Sequence, residues 1–233
     1  MLDAPTVCVN PHGLGPRASA PSFEAMVDRI EAARAALELP RWIFWGMSGG
    51  GWLALLYAHR HPDGLLGIVV ESACLSFRAR VADPRCLLSP HHDAWRDRLR
   101  ALDLLPEPGR YVAPEHGLVW DDVDGIGAIY RARGGPALLV VPPPAGEDIK
   151  AAVPELLRFD ARGWARSIAV PTLVIAGTAD PVAPLAHVRA VHAAIAGSTY
   201  VEIAGAGHVP LVEHRPEVTA AFEQFRKRAQ SPL

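Results

Sequence analysis

"RWIFWGMSGGGWLALLYAHRHPDGLLGIVVES", residues 41–72, decides how this chain is read. Residues 41–46 form a short run rich in aromatic and β-branched side chains, the pattern of a buried strand. Residues 52–62 have the apolar content of a helix and end at Pro62. Residues 65–72 read as the next buried strand, with Gly64 and Gly67 punctuating its approach. Between the first strand and the helix stands Gly46-Met47-Ser48-Gly49-Gly50, a G-x-S-x-G pattern. In a strand–turn–helix context that pattern is specific, and its reason is steric. The turn is so tight that Gly46 and Gly50 are expected to lack side chains where strand and helix nearly touch. Ser48 is then pushed into a strained conformation, its hydroxyl exposed at the edge of the sheet. The amide of Gly49 opens the helix and points to where an oxyanion would form.

Working outward, residues 22–38 have helical spacing, with Phe23, Met26, Val27, Ile30, Ala33 and Leu37 on one face. Ser22 is an N-cap candidate, Glu24 suits the first turn, and Pro40 stops the helix. A short apolar strand is expected at residues 6–9. Residues 6–72 therefore alternate strand, helix, strand, helix, strand. This predicts a parallel sheet with helices on both faces, joined by right-handed crossovers. The near-continuous apolar strands agree with a sheet covered on both sides.

From Leu75 to Gly163 the alternation stops. Short amphipathic pieces separated by Pro- and Gly-containing turns suggest an inserted helical cap, because about 85 structureless residues would be unusual in a compact domain. The regular pattern returns with a strand at 172–176 and a helix lined by Leu185, Val188, Val191 and Ile195 and stopped near Gly197. A strand at 199–205 follows, then a last helix over 216–228 that buries Val218, Phe222 and Phe225. The expected architecture is α/β, a mostly parallel sheet with helices on both faces. Its core is discontinuous, over 1–75 and 163–233, with the cap at 76–162.

Bulk properties fit that scheme. The chain has 233 residues, half of them apolar and a fifth charged, enough for one globular unit with a sizeable core. Its net charge of −2, with both signs spread along the chain, offers no surface for nucleic acid or an anionic membrane. No apolar run reaches membrane-spanning length. Three cysteines, Cys8, Cys74 and Cys86, are an odd number without metal spacing. Together with a start that lacks a signal-peptide pattern, they point to a cytoplasmic protein.

A serine alone is a poor nucleophile; it needs a base, and the base needs an orienting acid. For this architecture the order is Ser, then Asp, then His. Asp180 follows the strand at 172–176, and His208 follows the strand at 199–205. Both strand ends lie on the carboxyl edge of the sheet, as Ser48 does, where sites on open parallel sheets gather. Glu71, at the end of its own strand, is a second seat for the acid; Asp180 is preferred because its turn follows the later strand. His12, His59, His61, His187, His192 and His214 read as helix-end or surface residues. His91, His92 and Asp93 lack further spaced ligands and read as a solvated turn rather than a metal site. No metal and no cofactor are implied: the chain has neither a P-loop lysine nor G-x-G-x-x-G after a first strand.

Residues 41–72, "VPTLVIAGTADPVAP" at 170–184 and "VEIAGAGHVPLVEHRPEVTAAFEQF" at 201–225 together resemble the α/β-hydrolase fold family, in particular its capped proline-iminopeptidase-like and esterase-like members. The resemblance implies a nucleophile at Ser48, an acid at Asp180, a base at His208 and a substrate-selecting cap. The expected function is a serine hydrolase acting on a small-molecule acyl substrate, an ester or amide, through an acyl-enzyme. Acyl transfer and thioester hydrolysis are variants the triad does not separate.

The stretch "CVNPHGLGPRASAP", residues 8–21, carries the alternative. Family members place an HG-x oxyanion loop after their third strand and a D-x-R-G-x-G-like loop after their fourth. Here one helix lies between "NPHGLG" and Ser48, so connectivity matches the fourth-strand loop, with Asn10 and His12 in place of the usual charged residues. The first three strands and a helix, roughly 50 residues at typical lengths, are then absent. That leads to a non-catalytic remnant or binding protein. Alternatively the strand at Val7 pairs directly with the nucleophile strand, and the amide of Leu14 joins that of Gly49 in the oxyanion hole.

Overall fold

The apolar runs become four parallel strands in chain order: β1 (Trp42–Met47), β2 (Leu65–Glu71), β3 (Thr172–Gly177) and β4 (Thr199–Ile203). The computed structural model describes residues 6–7, 22–89, 91–93 and 155–230. Strand residues alternate between two apolar layers, as the period of two requires. Ile68, Val70, Val174 and Ala176 face one layer, while Val69, Leu173 and Ile175 face the other. The first layer is completed by helices α1 (Phe23–Ala36), α2 (Gly49–Arg60) and α4 (Leu185–Ala194), and the second by α6 (Arg215–Gln230). Two short helices, α3 (Phe77–Val81) and α5 (Pro210–Glu213), follow β2 and β4. The α/β class and the two-sided covering are as the patterning predicts, and Val218, Phe222 and Phe225 are the buried residues of α6.

Two elements differ from expectation. Helix α1 stops at Ala36, short of the sequence reading. Glu38 turns into the left-handed region at φ 55°, and the Arg34 guanidinium binds the carbonyls of Leu39 and Pro40, so the chain leaves the helix before Pro40. The strand expected at 6–9 is absent at the residues described: Thr6 and Val7 are exposed and lie in no strand. Val7 is 53 % exposed, so burial does not hold its side chain on the sheet. Residues 8–21, including His12 and Leu14, lie outside the described residues. Among the described residues β1 is therefore an edge strand paired with β2, and Trp42–Trp45 are only half buried.

The core is tied across elements by polar contacts. Trp42 Nε1 donates to the Tyr57 hydroxyl (3.0 Å), which donates to Glu31 Oε2 (2.6 Å), joining β1, α2 and α1. Beyond β2 the chain stays on the core through α3, where Phe77 and Val81 are buried. The segment returning at 155–165 lies alongside: Ser76 and Asp160 form an antiparallel bridge, and Ala161 N–H donates to Leu75 O. Most of the expected cap, 76–162, lies outside the described residues, including 94–154. No helix among the described residues is long and apolar enough to cross a membrane.

The segment after α3 is pinned to α4 through Asp83. Its carboxylate takes Arg85 at 2.7 Å and His187 Nε2 at 2.9 Å. Hydrogen bonds from Arg85, opposed by burial and aided by His187, hold this carboxyl well below the usual carboxylate range. The folded state thus binds the Asp83 proton less readily than the unfolded chain does. The stabilisation is present above the ordinary carboxylate range and is lost as pH falls through the folded value. Asp83→Asn is expected to flatten the acid side of a plot of unfolding midpoint against pH, recorded from about pH 6 to about pH 2 by circular dichroism.

Candidate active site

The turn that carries Ser48 is shaped by close approach. A Cβ built on Gly46 would collide with the Gly50 carbonyl and lie 2.8 Å from the Gly51 nitrogen. On Gly51 it would run into the Ala73 side chain, whereas on Gly50 it would meet nothing within 4 Å. The steric demand expected at Gly46 and Gly50 therefore falls on Gly46 and Gly51, because the second glycine of the pattern turns its α-hydrogen toward open space. Ser48 sits at φ 51°, ψ −114°, outside the regions comfortable for an L-residue, a strain on the order of 1–3 kcal/mol. Its N–H donates to Glu71 O (2.8 Å), anchoring the turn to the end of β2. Gly49 opens α2, so its amide belongs to the first turn, where N–H groups lack intrahelical acceptors. Leu14, the other expected donor, lies outside the described residues.

Ser48, Asp180 and His208 come together at the carboxyl ends of β1, β3 and β4. His208 Nε2 lies 3.0 Å from Ser48 Oγ, and His208 Nδ1 lies 2.8 Å from Asp180 Oδ2. An ionised carboxylate only accepts, so Nδ1 carries the proton and Nε2 is left to accept from the serine. Asp180 is 8 % exposed and His208 4 %. The other carboxylate oxygen, Oδ1, accepts from Val182 N (2.8 Å) and Ala183 N (2.9 Å), which fixes the direction in which Asp180 faces the imidazole.

The two loops are pressed together by backbone contact. A Cβ on Gly177 would lie 2.9 Å from the Ala206 carbonyl carbon, and Ala179 N–H donates to Ala206 O at 2.9 Å. Glu213 of α5 grips the chain on both sides of His208. Its Oε2 accepts from Gly207 N (2.9 Å) and its Oε1 from Val209 N (3.1 Å). Glu71 is fully buried, and burial pushes its carboxyl up, opposed by hydrogen bonds from Leu211 N–H and Trp45 Nε1–H and by the nearby His208. Both oxygens are occupied, by Trp45 Nε1 (2.8 Å) and Leu211 N (2.8 Å), so it braces the histidine loop while Asp180 takes the ring nitrogen.

A model of the alpha/beta hydrolase fold matches residues 3–215. The chain belongs to the alpha/beta hydrolase fold family. It is 26% identical over 209 residues to a probable proline iminopeptidase of Leptolyngbya boryana, covering 78% of this chain and 64% of that protein. It is 28% identical over 214 residues to a pimeloyl-[acyl-carrier protein] methyl ester esterase of Neisseria meningitidis, covering 92% of this chain and 79% of that protein. It thus spans less than two thirds of the first relative's length. Among solved structures, an alpha/beta fold family hydrolase from Bacillus anthracis superposes with TM-score 0.66 at 19% identity, covering 88% of this chain and 74% of that one. The proline iminopeptidase of Mycobacterium smegmatis gives 0.62 at 21%, covering 89% and 72%. At these identities the structural likeness speaks for the fold of the family.

Residues that the sequence reading passed over also shape the site. Trp45 reads simply as an apolar strand residue, yet its indole N–H holds Glu71. Glu213 looks like one more acidic side chain, although its place five residues after His208, at the end of a turn of helix begun by Pro210, is the signal that could have revealed it. Among the described residues no group of His, Cys, Asp or Glu is placed to hold a metal, His91, His92 and Asp93 included. His59, His61, His187 and His192 contact Ser167, Asp28, Asp83 and Ser198, away from Ser48.

Gly46→Ala is expected to lose about 3 kcal/mol or more, since the atoms a Cβ would meet are backbone atoms of Gly50 and Gly51 that cannot swing aside. Gly50→Ala should change stability by no more than about 1 kcal/mol, the scale of helix propensity. Urea unfolding of the two variants against the parent distinguishes them.

Proposed function

We propose that the chain is a serine hydrolase that cleaves a small ester or amide through an acyl-enzyme on Ser48. The observation that carries this reading is the unbroken relay Ser48 Oγ–His208 Nε2, 3.0 Å, and His208 Nδ1–Asp180 Oδ2, 2.8 Å, set on a strained turn at a helix N-terminus. The family membership and the relatives named esterase and iminopeptidase agree with it.

In the proposed reaction, Ser48 Oγ attacks the substrate carbonyl while His208 Nε2 takes the hydroxyl proton. Asp180 holds the imidazole and stabilises the imidazolium. The Gly49 N–H, with Leu14 N–H as the proposed second donor, receives the oxyanion. His208 then protonates the leaving alcohol or amine, and the carbon–heteroatom bond breaks to leave acyl-Ser48. A water molecule, deprotonated by His208, attacks the acyl carbon, and the returning proton restores the serine hydroxyl. The residues at 76–162 would form a cap that selects the substrate.

The test is a fluorophosphonate probe applied to the folded chain, with the label located by mass spectrometry. Stoichiometric label on Ser48, absent from Ser48→Ala, is expected. A folded chain that takes no label would overturn the mechanism and favour a non-catalytic, ligand-binding member of the family. With an ester substrate, Ser48→Ala should lower kcat about 10⁴-fold or more and Asp180→Asn about 10⁴-fold. Glu213→Ala leaves the chemical groups in place but frees the histidine loop. It should cut kcat about 10-fold or more with little change in KM, and Glu213→Gln should restore part of it.

A further inference from the structure

Arg80, on α3, is 2 % exposed and among the largest fully buried side chains of the protein. Its Nε and Nη1 are buried with no hydrogen-bond partner. The guanidinium carbon lies 5.0 Å from the Trp52 ring centre and 4.9 Å from that of Phe77. Aromatic rings attract the charge but accept none of the in-plane N–H bonds. A guanidinium cannot shed its proton, so unlike a buried lysine it cannot escape by becoming neutral.

Among the described residues, nothing supplies the missing anion to Arg80. Cys74 and Cys86 both feel the Arg80 charge, yet burial outweighs it and keeps both thiols protonated, with Cys86 pushed up to about 11. Asp160, which acts on Cys74, is taken by Arg162. Asp180, which acts on Cys86, is taken by His208.

The position of Arg80 is suggestive in its own right. Trp52 lies one helical turn beyond Ser48 on α2. Cys74 and α3 follow the end of β2. Cys86 donates to Val182 O (3.0 Å) and Leu87 N–H to Pro181 O (2.7 Å), in the turn that carries Asp180. The elements around Arg80 thus leave the sheet at the carboxyl edge that holds Ser48, Asp180 and His208.

We infer that Arg80 is a specificity-determining residue that binds a carboxylate borne by the substrate, so that the ester or amide cleaved at Ser48 is an acidic one. This rests on the serine-hydrolase reading for the reaction, though not for the binding. A carboxylate fits better than a phosphate dianion because a single buried guanidinium balances one negative charge and matches the planar oxygen pair.

Two readouts test it. The first is equilibrium binding, by calorimetry, of monomethyl glutarate and of dimethyl glutarate to the Ser48→Ala chain, with Arg80 present or replaced by Met. The monoanion should bind at least about tenfold tighter than the neutral diester, and Arg80→Met should abolish that ratio. Arg80→Lys, which keeps the charge, should retain part of it. The second is the ratio of kcat/KM for mono-p-nitrophenyl glutarate to that for p-nitrophenyl butyrate, which should fall at least about tenfold in Arg80→Met. Equal binding of anion and diester by the chain that retains Arg80 overturns the inference, whether or not a variant folds. So does a preference that survives in folded Arg80→Met. Anion-selective binding together with an unlabelled Ser48 would sink the hydrolase reading alone, while ester turnover without anion selectivity would sink the role of Arg80 alone.

Discussion

Strand β1 and helix α2 can meet as closely as they do only because residue 46 has no side chain. The Gly50 carbonyl occupies the place where a Cβ would stand. That contact leaves the intervening residues a turn too short for ordinary backbone angles, and Ser48 absorbs the difference at φ 51°. The strain is sustained from several directions: Ser48 N–H is tied to β2 through Glu71 O, and Gly51 lies against Ala73. Local strain of this kind persists only where surrounding packing over-determines it. Here the buried residues of α2 and the parallel pairing of β1 with β2 supply that packing.

The placement of Asp180 and His208 depends on a second close approach. Gly177 ends β3 against the backbone of residues 206 and 207, so the turn carrying Asp180 and the loop carrying His208 are held as one unit. Every remaining polar demand in this unit is met from within. Asp180 is fixed by two amides of its own turn, the amides beside His208 are fixed by Glu213, and α5 is fixed by Glu71. Glu71 is in turn held by Trp45 of β1. The serine strand and the histidine loop are therefore linked by a chain of hydrogen bonds that passes beneath the site. The proposed attack by Ser48 would need this degree of support, because a shift of about 1 Å costs orders of magnitude in rate.

Arg80 stands out against such complete pairing. The other buried charges at the carboxyl edge are satisfied internally, with Asp180 on His208 and Glu71 on Trp45 and Leu211. Arg80, whose buried Nε and Nη1 lack an acceptor among the described residues, is a buried cation beside that edge that calls for a group from outside.

Much of this could be read from one dimension. Residues 41–72 determined a strand, a glycine turn and a helix in that order, because apolar periodicity and glycine placement act over a few residues. The spacing of later apolar runs indicated which loops would stand at the carboxyl edge, and so made Asp180 and His208 candidates to stand beside Ser48, with Glu71 a second seat for the acid. What the sequence alone could not decide was contact between residues far apart along the chain. It could not say that Gly51, rather than Gly50, is the glycine that must stay bare, since that depends on where Ala73 lies. Nor could it say that Glu71 would be occupied by Trp45 and Leu211 and leave the imidazole to Asp180, or that Glu213 would clasp the loop around His208. Those outcomes belong to the tertiary structure because hydrogen bonds and steric limits act through distances of about 3 Å, which only the assembled sheet sets between β1, β2 and the loop after β4.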